Sequence, residues 1–359
     1  MNILLSVEHP AWAHQFRYVI QELEERGHTV KVLAINKDRD LELLDIFNIK
    51  YEVISDTSGR TIIDKGIIFL KTTWQIFWIS RKFKPDIFIG RASPMLSINN
   101  FLFRKTHIIF EDSEPSTFCL FVAKLFTDVI FTTASFTKDL GKKQRRISAY
   151  KELFYLHPNY FTPDPGVLSE LQLTPEDKFV ILRFVAWEAH HDIGQKGLSL
   201  DEKRRMVAEL KKYGRVFISS ESPLPEEFER YRITISLEKI HDLLYYATLL
   251  LGDSQTMTTE AAILGTPAIR CNSFVGPNDM GNFTELEKEY DLIYSFEEPD
   301  RAIKKALELL EQHDLKEQWA KKRERLLADK IDVTHFMIDF IENYPQSFDR
   351  YKKGSWIPL

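Results

Sequence analysis

The sequence holds two cysteines in 359 residues, Cys119 and Cys271. Both sit in apolar surroundings, which gives neither a disulfide framework nor a metal-ligand spacing and suits a reducing compartment. No run reaches the roughly 18 uncharged apolar residues of a membrane span. The nearest, Gly66 to Phe83, is interrupted by Lys71 and closed by Arg81 and Lys82. A basic excess is also missing: the net charge is -5, which argues against a dedicated nucleic-acid binder. There is no Gly-x-Gly-x-x-Gly, so the dinucleotide fingerprint is absent. The opening Met1-Asn2-Ile3-Leu4-Leu5 lacks the basic segment of a signal peptide, and a cytoplasmic location is expected. No short repeat is visible, and neither a metal nor a bound cofactor is expected.

What is present is ordinary globular composition, 44% hydrophobic and 28% charged, in a chain long enough for two domains. Strand and helix patterns alternate from the start. Asn2–Val7, Thr29–Ile35, Tyr51–Ile54, Asp86–Gly90, His107–Phe110 and Asp128–Thr133 read as strands. Ala11–Arg26 and Leu41–Phe47 read as helices between them. That order predicts a doubly wound parallel sheet. Lys142–Arg146 reads as a solvated basic loop, and Tyr150–Leu156 as an extended segment. Pro158, Pro163, Pro165 and Gly166 mark a domain boundary, giving domains 1–160 and 166–333. Phe179–Trp187, Arg215–Ser219 and Ile233–Ser236 read as strands of the second domain, with helices over Leu200–Tyr213, Leu237–Ala247, Asp300–Gln312, Leu315–Lys330 and Val333–Glu342. Trp74, Phe77 and Trp78 fall close together on one helical face. Packing against a core is the expectation there, with peripheral membrane contact as the alternative.

One stretch organises the second half. Leu249-Leu250-Leu251 reads as a buried strand, Gly252-Asp253-Ser254 breaks it, and Thr256–Leu264 carries a helical pattern. Gly265 stands where a left-handed cap belongs, and Pro267 stops the helix. Such a corner points backbone N–H groups and a helix N-terminus at the carboxyl edge of the sheet, an anion site. Ser254, Thr256, Thr258 and Thr259 add hydroxyl donors, and Glu260 follows one turn beyond Thr256 on the same face. Phosphate donors followed by an acid that can hold a ribose diol describe a nucleoside diphosphate site. The plainer reading is a βα turn whose hydroxyls only cap a helix.

Three turns of the first half also follow strands, where clefts of such sheets form. His9, Trp12 and His14 follow the first, Arg91 and Ser93 the fourth, and Glu111, Asp112 and Glu114 the fifth. Acids this close repel one another, which can raise a pKa and make a proton carrier. A solvated acidic loop with a capping residue is the alternative. In the second half, Glu188 to Gly197 gathers His190, His191, Asp192 and Lys196 after a strand. A histidine there can serve as general acid or base. A metal site is disfavoured, since neighbouring loop residues rarely point at one ion. One surface and one packed histidine is the plain alternative. Arg183, inside an apolar run, is expected to reach an anion or a carboxylate. Arg270 to Gly281, with Asp279, reads as a substrate loop or lid.

Asp253-Ser254, Glu260-Ala261 and Leu264-Gly265-Thr266-Pro267 resemble the nucleotide-sugar motif of UDP-N-acetylglucosamine 2-epimerases and GT-B glycosyltransferases. The chain as a whole, from Asn2 to about residue 340, most resembles an uncharacterised family of unknown-function domains related to them. The resemblance implies a GT-B-like fold, two Rossmann-like domains facing across a cleft, with the last helix, 334–359, returning to domain one. It implies that Ser254, Gln255 and Thr256 line a diphosphate, that Glu260 holds the ribose, and that Ile240 and its neighbours pack on the base. It places a catalytic-histidine loop at Trp187–Gly197, and it sets Glu111 where the epimerases carry a glutamate. Two departures stand out. Gln255-Thr256 replaces a pair of glycines, and Arg91-Ala92-Ser93 stands where the epimerases have an aspartate. The expected activity is therefore glycosyl transfer from a nucleotide sugar to a glycan or small-molecule acceptor, with nucleotide sugar as substrate. Arg183, Lys196 or Arg270 would meet the leaving diphosphate, Arg91, Ser93 and Asp279 would contact substrate, and Glu111 or a histidine such as His14 would be the base. A 2-epimerase and a non-catalytic nucleotide-sugar binder are the alternatives.

Overall fold

The computed structural model describes residues 1–36, 39–55, 62–185, 198–277 and 279–353, the side chain of Ile62 excepted. The chain divides into two units, Met1–Tyr160 with Lys330–Leu359, and Phe161–Asp329.

In unit 1 the elements run β1 (Asn2–Val7), α1 (Pro10–Glu25), β2 (Thr29–Ile35), α2 (Asp40–Ile46), β3 (Tyr51–Ser55), α3 (Ile62–Phe83), β4 (Ile87–Gly90), α4 (Pro94–Phe103), β5 (Thr106–Glu111), α5 (Thr117–Phe126), β6 (Val129–Thr133), β7 (Gln144–Ile147) and α6 (Leu153–Leu156). The strands form one parallel sheet in the order β3-β2-β1-β4-β5-β6-β7. This is the Rossmann order, which reverses beside β1 and opens a crevice at the carboxyl ends of β1 and β4. Right-handed crossovers then put α1 and α2 on one face and α3, α4 and α5 on the other.

Unit 2 runs α7 (Gly166–Glu170), β8 (Phe179–Phe184), α8 (Leu200–Leu210), β9 (Arg215–Ser220), α9 (Glu226–Glu229), α10 (Ile240–Tyr246), β10 (Leu249–Gly252), α11 (Gln255–Leu264), β11 (Ala268–Cys271), α12 (Gly281–Lys288), β12 (Ile293–Phe296), α13 (Pro299–Leu310) and α14 (Leu315–Asp329). Its sheet is parallel too, ordered β12-β11-β10-β8-β9. After it, α15 (Val333–Glu342) and α16 (Gln346–Lys352) belong to unit 1. There Phe131 of β6 meets the rings of Phe336, Phe340 and Tyr351 edge-on, at 5.0, 5.1 and 5.8 Å.

Four local expectations change. Tyr150–Leu156 is not extended, because Leu153–Leu156 form α6 and all four side chains are buried, so an alternating strand pattern has no solvent face to occupy. Lys142–Arg146 is not a loop throughout: β7 begins at Gln144. Gln144 is fixed there by its Oε1 accepting from Leu140 N at 2.8 Å and its Nε2 donating to Thr132 Oγ1 at 3.0 Å. Ile233–Ser236 forms no strand; the residue before it, Arg232, makes one isolated bridge, with Ile218. The outer face of α3 is not packed in a core. Trp74 and Trp78 are half or more exposed, while Thr72, Ile76, Ile79 and Ser80 form the buried side.

Candidate functional site

Unit 2 builds its corner at the end of β10. The strand is buried on both faces, and Gly252 lies beside Arg183 in the register. A Cβ at Gly252 would strike the carbonyl oxygen of Arg183, so β8 and β10 come this close only with glycine there. Asp253 then turns back: its Oδ1 accepts from Val185 N at 2.8 Å, and its carbonyl accepts from Asn272 Nδ2 at 3.0 Å. Ser254 is the N-cap of α11, accepting from Met257 N at 3.3 Å. Its own hydroxyl proton stays available to a ligand, because a hydroxyl donates as well as accepts. Thr258 and Thr259 are spent otherwise. Their hydroxyls donate to the carbonyls of Ser254 and Gln255, at 2.7 and 3.4 Å. Gln255 and Thr256 are half-buried at the helix mouth. Gly265 ends the helix with φ +81°, the left-handed cap that glycine adopts without a Cβ penalty.

Glu260 is buried on α11, and its Oε1 lies 3.0 Å from His241 Nε2, itself buried on α10. His241 follows Ile240 directly, and Phe161 stands edge-on to its ring at 6.5 Å. Ile240 is half-buried at the start of α10. Arg183 donates to Ser219 Oγ at 2.8 Å and pairs with Glu221. Arg270 and Asp279 are brought together: the fully buried guanidinium pairs with Asp279 and lies 3.8 Å over the Phe283 ring. Burial lowers the Arg270 pKa, opposed by Asp279. Its charge is thus engaged inside unit 2. His190, His191, Asp192 and Lys196 lie outside the described residues.

Unit 1 gathers its chemistry where β1, β4 and β5 end. Arg91 pairs with both Glu111 and Asp112, and Lys151 Nζ approaches Asp112 Oδ2 at 3.2 Å. All four are buried. Burial works against the Arg91 charge, yet Asp112 and Glu111 raise its pKa. Burial alone would raise Asp112, yet Arg91 and then Lys151 hold it down at about 2. Glu111 is saturated with donors. It accepts from the backbone N–H groups of Ala92, Asp112 and Ser113, each at 3.0 Å, besides Arg91. It therefore anchors the Arg91 turn. Ser93 caps α4, accepting from Leu96 N at 3.3 Å. Glu8, just past β1, has its pKa raised by burial against the pull of Ser93 and Ser6. Trp12 receives the Arg91 guanidinium 5.8 Å from its ring centre. His14 is packed by Phe47 and Tyr155 at 5.2 and 5.3 Å. Glu114 turns toward Thr137, whose N–H it accepts at 3.2 Å.

Sequence reading singled out neither Glu8, Lys151 nor His241. Glu8 carried a signal, a carboxyl directly after the first strand. Lys151 and His241 carried none, since each is defined by a partner distant in sequence. No group of three or more metal-ligating side chains is assembled among the described residues.

Residues 1–346 match one family throughout. The chain belongs to the family described as "Protein of unknown function (DUF354)". No curated protein matches it in sequence. Its fold is similar to that of three solved proteins. UDP-GlcNAc 2-epimerase from Neisseria meningitidis bound to UDP-GlcNAc matches at TM-score 0.64 and 14% identity, over 95% of this chain and 100% of that one. S. aureus MnaA with UDP matches at 0.68 and 13%, over 96% and 97%. Glycosyltransferase VinC with dTDP matches at 0.59 and 13%, over 98% and 100%. The member of the unknown-function family described here thus has a GT-B-like α/β fold of two Rossmann-like units. Identities this low speak to fold alone.

Proposed function

We propose that this protein transfers a glycosyl group from a nucleotide sugar, metal-independently, to a glycan or small-molecule acceptor. The observation that carries the reading is the α11 corner. A helix N-terminus at the carboxyl edge of a parallel sheet, with Ser254, Gln255 and Thr256 at its mouth, precedes a buried carboxylate fixed by His241. Helix N-termini favour phosphate. A carboxylate one turn further suits a ribose diol, with Ile240 beside the base. Departure of a nucleoside diphosphate needs such donors aimed at the developing charge.

In unit 1, Glu8 is the carboxyl suited to accept the acceptor's proton, because its pKa is raised and Glu111 is fully occupied. The acceptor hydroxyl would lose its proton to Glu8 and attack the anomeric carbon, and the bond to the diphosphate oxygen would break. A place in surface-polysaccharide synthesis and in the cytoplasm fits this reading.

Epimerisation at C2 is the second reading, favoured by the fold's likeness to the Neisseria meningitidis UDP-GlcNAc 2-epimerase. Against it, the buried Arg91 stands where the resemblance sets an aspartate, and it is tied to Glu111 and Asp112. Calorimetry with a panel of nucleoside diphosphates and sugar nucleotides tests the site. Nucleotide release that depends on an added acceptor supports transfer. Deuterium uptake from heavy water into a sugar nucleotide would establish the epimerase instead, and tight binding with neither would leave a non-catalytic binder.

A further inference from the structure

The outer side of α3, α4 and α5 carries an apolar surface. Among the described residues, every large apolar side chain exposed by half or more stands on these three helices, each 50–74% exposed. On α3 they are Ile63, Ile67, Leu70, Trp74 and Trp78. That spacing of four, three, four and four is one stripe of an α-helix, here turned outward. Phe118, Phe121 and Leu125 repeat it on α5, with Phe101 and Leu102 on α4 between them. The three helices are neighbours, α3 against α4 and α4 against α5. Contiguous apolar surface of this kind marks an interaction site.

Charge decides the occupant. The three helices with the one or two residues that follow each, 62–84, 94–105 and 117–128, hold eight Lys and Arg and two acids, Asp64 and Asp128, in a chain whose net charge is -5. Arg81 lies 5.6 Å over the Trp78 ring. Phe101, Leu102, Arg104 and Lys105, with Asp128, line a surface cavity of about 540 Å³, roomy enough for a lipid headgroup. A twofold dimer through this face would set the same cations against themselves. A bilayer bearing anionic headgroups offers the opposite sign together with an apolar layer for the tryptophans and phenylalanines. No helix of the described residues is long and apolar enough to cross that layer, so contact is with its surface.

We infer that unit 1 docks through α3, α4 and α5 onto an anionic phospholipid bilayer, apolar side chains in the interface and Arg81, Lys82, Arg104 and Lys105 against the headgroups. The inference does not rest on the proposed transfer reaction.

Co-sedimentation of the full chain with phosphatidylcholine vesicles, with and without phosphatidylglycerol, tests it. The chain should pellet with the anionic vesicles and be released by salt. Lys82→Glu with Lys105→Glu should weaken binding about 30-fold, and Trp74→Ser with Trp78→Ser roughly tenfold. Both pairs should keep the melting temperature and the affinity for nucleoside diphosphate, which separates this result from the fate of the site in unit 2. Absence of pelleting with anionic vesicles, or pelleting indifferent to both pairs, would overturn the inference. So would a concentration-dependent dimer that Trp74→Ser with Trp78→Ser abolishes without any vesicle binding; it would assign the face to a second copy.

Discussion

His241 Nε2 stands 3.0 Å from Glu260 Oε1, and both side chains are buried. A helix that ends before β10 thus fixes the carboxylate on the helix that begins after it. Replacing Glu260 with Ala should weaken UDP binding by about 1–3 kcal/mol, and His241→Ala by about 1 kcal/mol, since it leaves the carboxylate in place without its anchor. Isothermal calorimetry on folded variants measures both. An unchanged affinity in Glu260→Ala would end its assignment to the ribose.

Arg91 is the cation on which Glu111 and Asp112 converge. Arg91→Met would leave two buried carboxylates with Lys151 as their remaining close cation, on Asp112. Removing one member of a buried charge cluster costs about 3–5 kcal/mol. Urea unfolding should report a loss of that size.

Acid should act through Asp112. Its folded-state pKa of about 2 lies below the ordinary carboxylate value. A depressed carboxylate contributes stability in full above its unfolded pKa, and that contribution is lost as pH falls through the folded pKa. The window runs from about pH 4 down to about pH 2, and the contribution is about 2 kcal/mol. Urea midpoints measured across this range should fall more steeply for the natural protein than for Asp112→Asn.

Gly252→Ala tests how the corner is closed. The added methyl meets the backbone carbonyl of Arg183, which cannot rotate away as a side chain can. A destabilisation of about 1–3 kcal/mol is expected from this overpacking. UDP binding should weaken with it, because Ser254 follows two residues on. A melting temperature equal to that of the parent would contradict the close approach.

Glu8→Gln keeps the shape of the side chain and removes its proton chemistry. Turnover should fall about 100- to 10,000-fold with nucleotide affinity nearly unchanged. For the natural protein the rate should drop on the acid side at a pH above that of an ordinary carboxylate, because the raised group must be deprotonated to act. Equal losses of affinity and rate would instead make Glu8 a structural residue.

Much of this architecture was legible. Short apolar runs such as Leu249-Leu250-Leu251, closed by Gly252 and followed by a Ser cap, announce strand, turn and helix together, and the structure has that order. Ser254 and Gly265 are readable because capping is a local matter. The partners of the charged groups were not. Arg270 at the end of β11 pairs with Asp279 nine residues on, Arg91 after β4 pairs with Asp112 after β5, and no local pattern says whether such a cation meets a ligand or a carboxylate. The outward stripe of α3 deceived for a related reason. Apolar spacing gives the width of a helical face, but which face meets the sheet is fixed by the crossover. Here Ile76 and Ile79 took the inside, where they pack with Leu4, Leu33 and Phe88.

The path of the chain has a consequence for how the protein is made. Phe131 in the sheet of unit 1 is covered by Phe336, Phe340 and Tyr351, and Thr334 Oγ1 donates to the carbonyl of Phe154 at 2.8 Å. On the ribosome, every residue of unit 2 emerges before Thr334, Phe336, Phe340 and Tyr351. The inserted unit can therefore fold while its host still shows a bare aromatic flank, and a strand made before the whole of unit 2 is sealed only after it.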